Sequence, residues 1–285
     1  MKTTLPSLVI AAAVGCAFLA GPSLAQTATA SQTTLEQTDG AQARIAYSRK
    51  LRMLSQAVPA AACHLAADVD ATTALGLLSS ATVEFAALLN ALEFGDADLN
   101  IQTAETRRKT IAEIQTVRTA WEPIKGAVEA IMSGTVSDEN VQVILTQNTE
   151  VLVAVEGLVT DIVSEYFNPV DMVSADSFMI NIAGRQRMLI QIISKDACIL
   201  TTNPGGSVTS ESLDGSMNTF ASSLAALRNG LPGTGIRPPP TPAIAAGLGD
   251  LLEQWNNTKP MLDSAVAGSQ IDDEAALARF ESLNA

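Results

Sequence analysis

The clearest pattern in the chain lies between residues 138 and 167, where Val141, Leu145, Leu152, Val155, Val159, Ile162 and Tyr166 follow alternating four- and three-residue steps. Asn148 is the only polar residue on that seam. Such steps keep one stripe of a 3.6-residue helix turned toward a neighbour, so the segment reads as a helix packed lengthwise in a bundle. Ser137 stands just before Asp138 and Glu139, which puts a capping hydroxyl at the helix start and acids at the positive end of its dipole. Apolar periodicity interrupted by turn residues predicts three earlier helices, at about 40–68, 71–94 and 98–132. Four later ones follow at about 174–202, 209–229, 243–266 and 272–284, the last of them short. Leu231 to Pro242 holds five prolines and two glycines, and reads as a loop where the earlier half has helix.

The two halves share a register. Ile45, Arg52, Met53, Leu54, Gln56, Ala62, Cys63 and Leu65 return 135 positions later as Ile180, Arg187, Met188, Leu189, Gln191, Ala197, Cys198 and Leu200. Phe85, Leu89, Leu92 and Gly95 return at the same offset as Phe220, Leu224, Leu227 and Gly230. Trp121, Lys125 and Gly134 match Trp255, Lys259 and Gly268 at an offset of 134, and Asp138-Glu139 returns to 135 as Asp273-Glu274. A register held over a whole module, with one single-residue indel, implies duplication, and a period of this length is that of a domain rather than of a solenoid repeat. The expected fold is therefore all-α: two tandem antiparallel four-helix-bundle modules related by internal duplication, at residues 38–170 and 171–285. Tyr166-Phe167-Asn168-Pro169 marks the join, and residues 26–37 read as a flexible N-terminal segment.

Composition changes this picture at the N-terminus. Lys2, the apolar run Leu8 to Ala20 and the small-residue pattern Ser23-Leu24-Ala25 read as a signal peptide over residues 1–25, cleaved after Ala25. A lipoprotein reading at Cys16 fits less well, because the apolar run before Ala13-Val14-Gly15-Cys16 is short and the site lacks its usual larger aliphatic residue. The remaining chain should be exported to the periplasm, with no membrane insertion after cleavage. The formal net charge of -13 repels nucleic acid and anionic membrane surfaces and serves solubility.

Beyond Cys16, the chain has two cysteines, Cys63 and Cys198, at equivalent places in the two copies. An even count in an oxidising compartment suggests a disulfide, and two separately buried thiols are the alternative. A bridge would have a geometric consequence. Arg52 lies eleven residues before Cys63 and Arg187 eleven before Cys198. Eleven helical steps come to three turns plus about 20°, so each arginine shares its cysteine's face roughly 16 Å along the axis. Two guanidiniums brought to face each other need a negative partner, either a protein carboxylate or a small planar oxyanion.

Ile180-Asn181-Ile182-Ala183-Gly184-Arg185-Gln186-Arg187-Met188-Leu189-Ile190-Gln191 closely resembles the signature of the PilJ/NarX-like periplasmic sensor domain, known from nitrate and nitrite sensor kinases and from a type IV pilus chemoreceptor. The resemblance implies a first helix of a four-helix bundle, with an anion bound where two modules meet, held by one arginine from each and by backbone near the glycine. It assigns those roles here to Arg187 and Gly184. The first copy, Ile45-Ala46-Tyr47-Ser48-Arg49-Lys50-Leu51-Arg52, keeps the arginine as Arg52 but has Ala46 for the asparagine and Arg49 for the glycine. Arg49, one turn before Arg52, adds positive charge on nearly the same face. A single chain imitating a homodimer, with Arg52, Arg187, Gly184 and Arg49 lining one anion site between the copies, is the resulting expectation.

Other residues carry blander readings. His64 is the only histidine and has no nearby ligand set for a metal, and no haem motif, phosphate loop or placed nucleophile–base pair occurs, so neither a cofactor nor an enzyme is expected. Trp121 and Trp255, each with a lysine one turn later, read as duplicated core tryptophans with snorkelling lysines. Arg107-Arg108-Lys109 reads as a solvated basic face, with a docking patch as the alternative. The expected function is a sensor-like module for a small inorganic anion, nitrate or nitrite first, that signals through a partner such as a membrane sensor or transport protein. The alternative is a ligand-free interaction module of an envelope or pilus-linked chemosensory complex.

Overall fold

The computed structural model describes residues 27–167, 174–202 and 207–284, with side chains described from residue 40 in the first stretch and from 178 in the second. The expected signal peptide with Cys16, and Asn168-Pro169 of the expected join, lie outside the described residues. Eight α-helices follow in order: α1 Thr27–Ala66, α2 Ala71–Phe94, α3 Arg108–Met132, α4 Asp138–Tyr166, α5 Ser174–Thr202, α6 Ser210–Asn229, α7 Pro242–Val266 and α8 Asp273–Asn284. Helix α1 packs on α2 and α4, and α3 closes the set against both. In the same way α5 packs on α6 and α8, with α7 between them. These are two four-helix bundles, and α1 and α5 pack on one another to join them.

Each bundle has its own apolar core. Leu51, Phe85, Leu89, Ile124, Leu158 and Ile162 are fully buried in the first, and Ile193, Leu213, Phe220, Trp255, Leu262 and Phe280 in the second. Each such side chain contributes roughly 1.5–3 kcal/mol through removal of its apolar surface from water. The aromatic contact at the middle of each core is the same pair: Phe85 stacks on Trp121 with centroids 4.1 Å apart, and Phe220 meets Trp255 at 4.6 Å. Helices α2 and α4 are long and apolar enough by composition to cross a membrane, and both turn their buried faces into the first core.

The caps follow the sequence. Ser137 accepts from the Asn140 amide at the start of α4, and Thr209 and Thr241 do the same for α6 and α7. Two boundaries differ from expectation. Helix α1 begins at Thr27, ahead of the expected start near residue 40, because the Thr- and Ser-rich stretch before Gly40 has no apolar period to announce a helix. Helix α3 begins at Arg108 rather than near 98, and residues 95–107 form a loop.

That loop corrects the reading of the Leu231–Pro242 segment as a feature of the second copy alone. Asp96 and Ile101 pair as an isolated antiparallel bridge, and so do Leu231 and Ile236, 135 positions later. Gly95 (φ 82°) and Gly230 (φ 76°) open the two loops. A Cβ at Gly95 would lie 2.9 Å from the Thr103 backbone, and one at Gly230 2.9 Å from the ring of Pro238, the residue equivalent to Thr103. Only the fastening differs. In the first copy Arg44 reaches across to donate to the Leu92 and Thr103 carbonyls, and in the second three prolines stiffen the chain.

Candidate functional site

The surface between α1 and α5 is built by contacts that pair the earlier part of α1 with the earlier part of α5, Arg52 with Asn181, and later parts with later, as in Gln56 with Lys195, His64 with Ser194 and Cys63 with Cys198. The two first helices therefore run side by side in the same direction. Cys63 and Cys198 are joined by a disulfide, with their Cα atoms 6.2 Å apart. Lys195 donates to Gln56 Oε1 at 3.2 Å and to Asn148 Oδ1 at 3.1 Å, tying α5 to α1 and α4. Asn148, the single polar residue on the α4 seam, thus has a partner on α5.

Toward the N-terminal ends, the four residues expected to form one anion site are spread over two cavities, with Arg52 on one, Gly184 and Arg187 on the other, and Arg49 on both. Arg52 is buried. Its Nη2 lies 2.9 Å from Glu156 Oε2 on α4, and its Nη1 donates to Asn181 Oδ1 at 2.7 Å. The other Glu156 oxygen accepts from Arg185 at 3.2 Å. Burial pushes the Arg52 guanidinium below its ordinary pKa against the opposing attraction of Glu156, while Arg185 and Arg49 add repulsion. A cavity of about 400 Å³ here is walled by Arg49, Arg52, Val159, Val163, Phe178 and Asn181.

Arg187 is exposed and lines a different groove, of about 610 Å³, which Arg52 does not line. Its walls are Ile45, Ala46, Arg49, Lys50 and Met53 of α1 with Ile180, Ala183 and Gly184 of α5. Arg187 Nη2 donates to the Asn284 carbonyl at the end of α8, at 3.1 Å. Lys50 is paired with Glu84 of α2. No acid is among the groove's described walls. A Cβ on Gly184 would meet nothing within 4 Å, so the backbone there is open to close approach. The structure thus brings together Arg49, Gly184 and Arg187, and sets Arg52 apart on a protein carboxylate.

The remaining singled-out residues are absorbed by structure. His64 is buried against Ser194, Nε2 to Oγ 3.0 Å, and desolvation lowers its pKa to about 4. Trp121 and Trp255 are core residues, and their lysines pair at the surface with Glu122 and Glu129, and with Asp263. The basic run is tied down: Arg107 stacks over Tyr166 at 4.2 Å and Lys109 bonds Asp161 at 2.7 Å. Sequence reasoning missed Glu156. Its signal was slight, one acid beside the apolar seam of α4 with nothing to mark it as the partner of Arg52.

Comparison with known families matches residues 33–146 and 170–280 to the N-terminal domain of type IV pili methyl-accepting chemotaxis transducers (PilJ). No curated protein matches the chain.

Proposed function

The chain belongs to the PilJ family of type IV pili methyl-accepting chemotaxis transducer N-terminal domains, and from that premise we propose that it is a periplasmic, non-catalytic sensory module whose ligand is a small oxyanion. The observation that carries this reading is the groove between the first helices of the two matched segments, where Arg187 and Arg49 line the same walls as the open backbone of Gly184 and no acid is among the described walls. A planar anion such as nitrate or nitrite suits a guanidinium fork with backbone close by, and a local positive patch concentrates anions despite the protein's net charge of -13. The site is a half-site compared with the expectation of paired arginines, because Glu156 occupies Arg52. Occupancy would pass to a membrane chemosensory component.

The test is thermal melting at constant ionic strength with nitrate, nitrite, sulfate or chloride. Selective stabilisation by nitrate or nitrite, lost in Arg187→Ala, is the expected result by ligand linkage. No selective shift at millimolar anion overturns the reading. The second reading, an interaction module without a free ligand, is favoured by one observation: Arg52 and Arg185, two of the cations near the inter-copy surface, are already neutralised by Glu156.

A further inference from the structure

Lys195 of α5 is held against the first bundle, its ammonium donating to Gln56 Oε1 and Asn148 Oδ1 and lying 3.5 Å from Asp196 Oδ1. The 135-residue correspondence between the copies exchanges Gln56 for Gln191, Lys195 for Ala60 and Asp196 for Ala61. Ile192 likewise gives way to Ala57. Where α5 presents Ile192, Lys195 and Asp196, α1 therefore presents three alanines, and a cavity of about 160 Å³ lies against them. Apolar cavities of roughly 150 Å³ hold a benzene-sized molecule.

The cavity keeps the polar groups of such a nest without the ammonium. Gln191 lines it, 7% exposed, and its amide has no hydrogen-bond partner among the described residues. His64 lines it too, 1% exposed, with Nε2 on Ser194 and Nδ1 without a partner. In the tautomer whose Nε2–H donates to Ser194, that Nδ1 is an acceptor. A carboxylate comes from Glu281 of α8, half-buried and with no ion pair among the described residues. Burial raises its pKa above the ordinary value. The second carboxylate on the wall, Glu84, is paired with Lys50, and no lysine or arginine is among the described walls. Most of the remaining wall is apolar, with Met53, Leu54, Leu77 and Leu277. An amide oxygen, an imidazole nitrogen and an unpaired carboxylate on such a wall are matched by a donor that carries positive charge.

We propose that this cavity binds a small primary alkylammonium ion, its head taken by Glu281 and Gln191 and its chain laid among Met53, Leu54 and Leu77. The ligand supplies the side chain that Lys195 has and Ala60 lacks. Beyond its Cβ a lysine is a propylammonium group, so a short unbranched amine matches the missing atoms in both length and charge. Apolar walls with a few polar groups that fix orientation are the usual make-up of a small-molecule site. The cavity shares only Met53 with the groove lined by Arg49 and Arg187, so the inference is independent of the oxyanion reading.

The test is isothermal titration of the intact protein with n-butylammonium chloride at constant ionic strength, with n-butanol as the neutral match. Saturable one-to-one binding of butylammonium and none of butanol is expected. Glu281→Gln should weaken that binding at least tenfold with the circular dichroism unchanged. Ala60→Lys, which places a tethered ammonium in the cavity, should abolish it, and if that variant does not fold, Glu281→Gln decides alone. No binding of butylammonium, equal binding of butanol, or binding indifferent to Glu281→Gln overturns the proposal. Nα-acetyl-lysinamide separates a free amine from the lysine of a partner protein. Weaker binding than butylammonium is expected, and tighter binding overturns the assignment to a free amine.

Discussion

At the residue scale, buried polar groups decide the behaviour of the inter-bundle surface. His64 occupies the position of Ile199 in the other copy, with one ring nitrogen on Ser194 and no ion pair among the described residues. Burial holds its pKa near 4, below the ordinary 6.5, so the folded protein keeps it neutral while the unfolded chain protonates. The stability this contributes is complete above pH 6.5 and is lost as pH falls toward 4. Urea unfolding should show wild-type stability falling by about 2 kcal/mol more between pH 7 and pH 5 than that of His64→Gln, which keeps a partner for Ser194 but does not titrate. Equal slopes would remove His64 as the cause. Glu156 gives a second residue-scale prediction. Glu156→Gln leaves the buried Arg52 without its counter-charge and should cost on the order of 1–3 kcal/mol, with most of the loss recovered in the double variant that also carries Arg52→Met.

At the scale of elements, the loops at 95–107 and 230–241 show one turn held by two chemistries. Both open on a glycine at positive φ whose missing Cβ lets the returning strand of chain pass close by. Gly95→Ala and Gly230→Ala should each destabilise by about 1–3 kcal/mol, through backbone strain and the clash with Thr103 or Pro238. Gly126→Ala, in the interior of α3 with nothing within 4 Å, should instead stabilise by about 0.5–1 kcal/mol. Thermal melts of the three variants check the contrast, and a neutral Gly95→Ala would contradict the backbone argument. The loop was legible in the second copy because prolines announce themselves. It was not legible in the first, where Arg44 does the fastening from a helix about fifty residues away in sequence.

At the scale of the whole molecule, the bundles have separate cores and are joined through α1 and α5. The Cys63–Cys198 disulfide closes a sequence separation of 135 residues, and removing it as Cys63→Ser with Cys198→Ser should cost about 2–4 kcal/mol through the freed unfolded chain. Urea unfolding of the intact protein with and without reductant measures this, and an unchanged midpoint would show that α1 and α5 stay together without the bond.

The sequence by itself determined the helices, their grouping into two sets of four, the matched cysteines and the family signature on α5. Each of these is written in local periodicity or in a register repeated over a whole module, and neither needs a distant residue to be read. Which arginines meet was left to the tertiary structure. The equivalence of Arg52 and Arg187 is a property of the repeated sequence, but their surroundings are not equivalent, because α4 reaches Arg52 with Glu156 while α8 meets Arg187 with a backbone carbonyl. A guanidinium's fate depends on which carboxylate comes within about 3 Å of it, and that is set by which helix packs over it from far along the chain, not by the residues around the arginine.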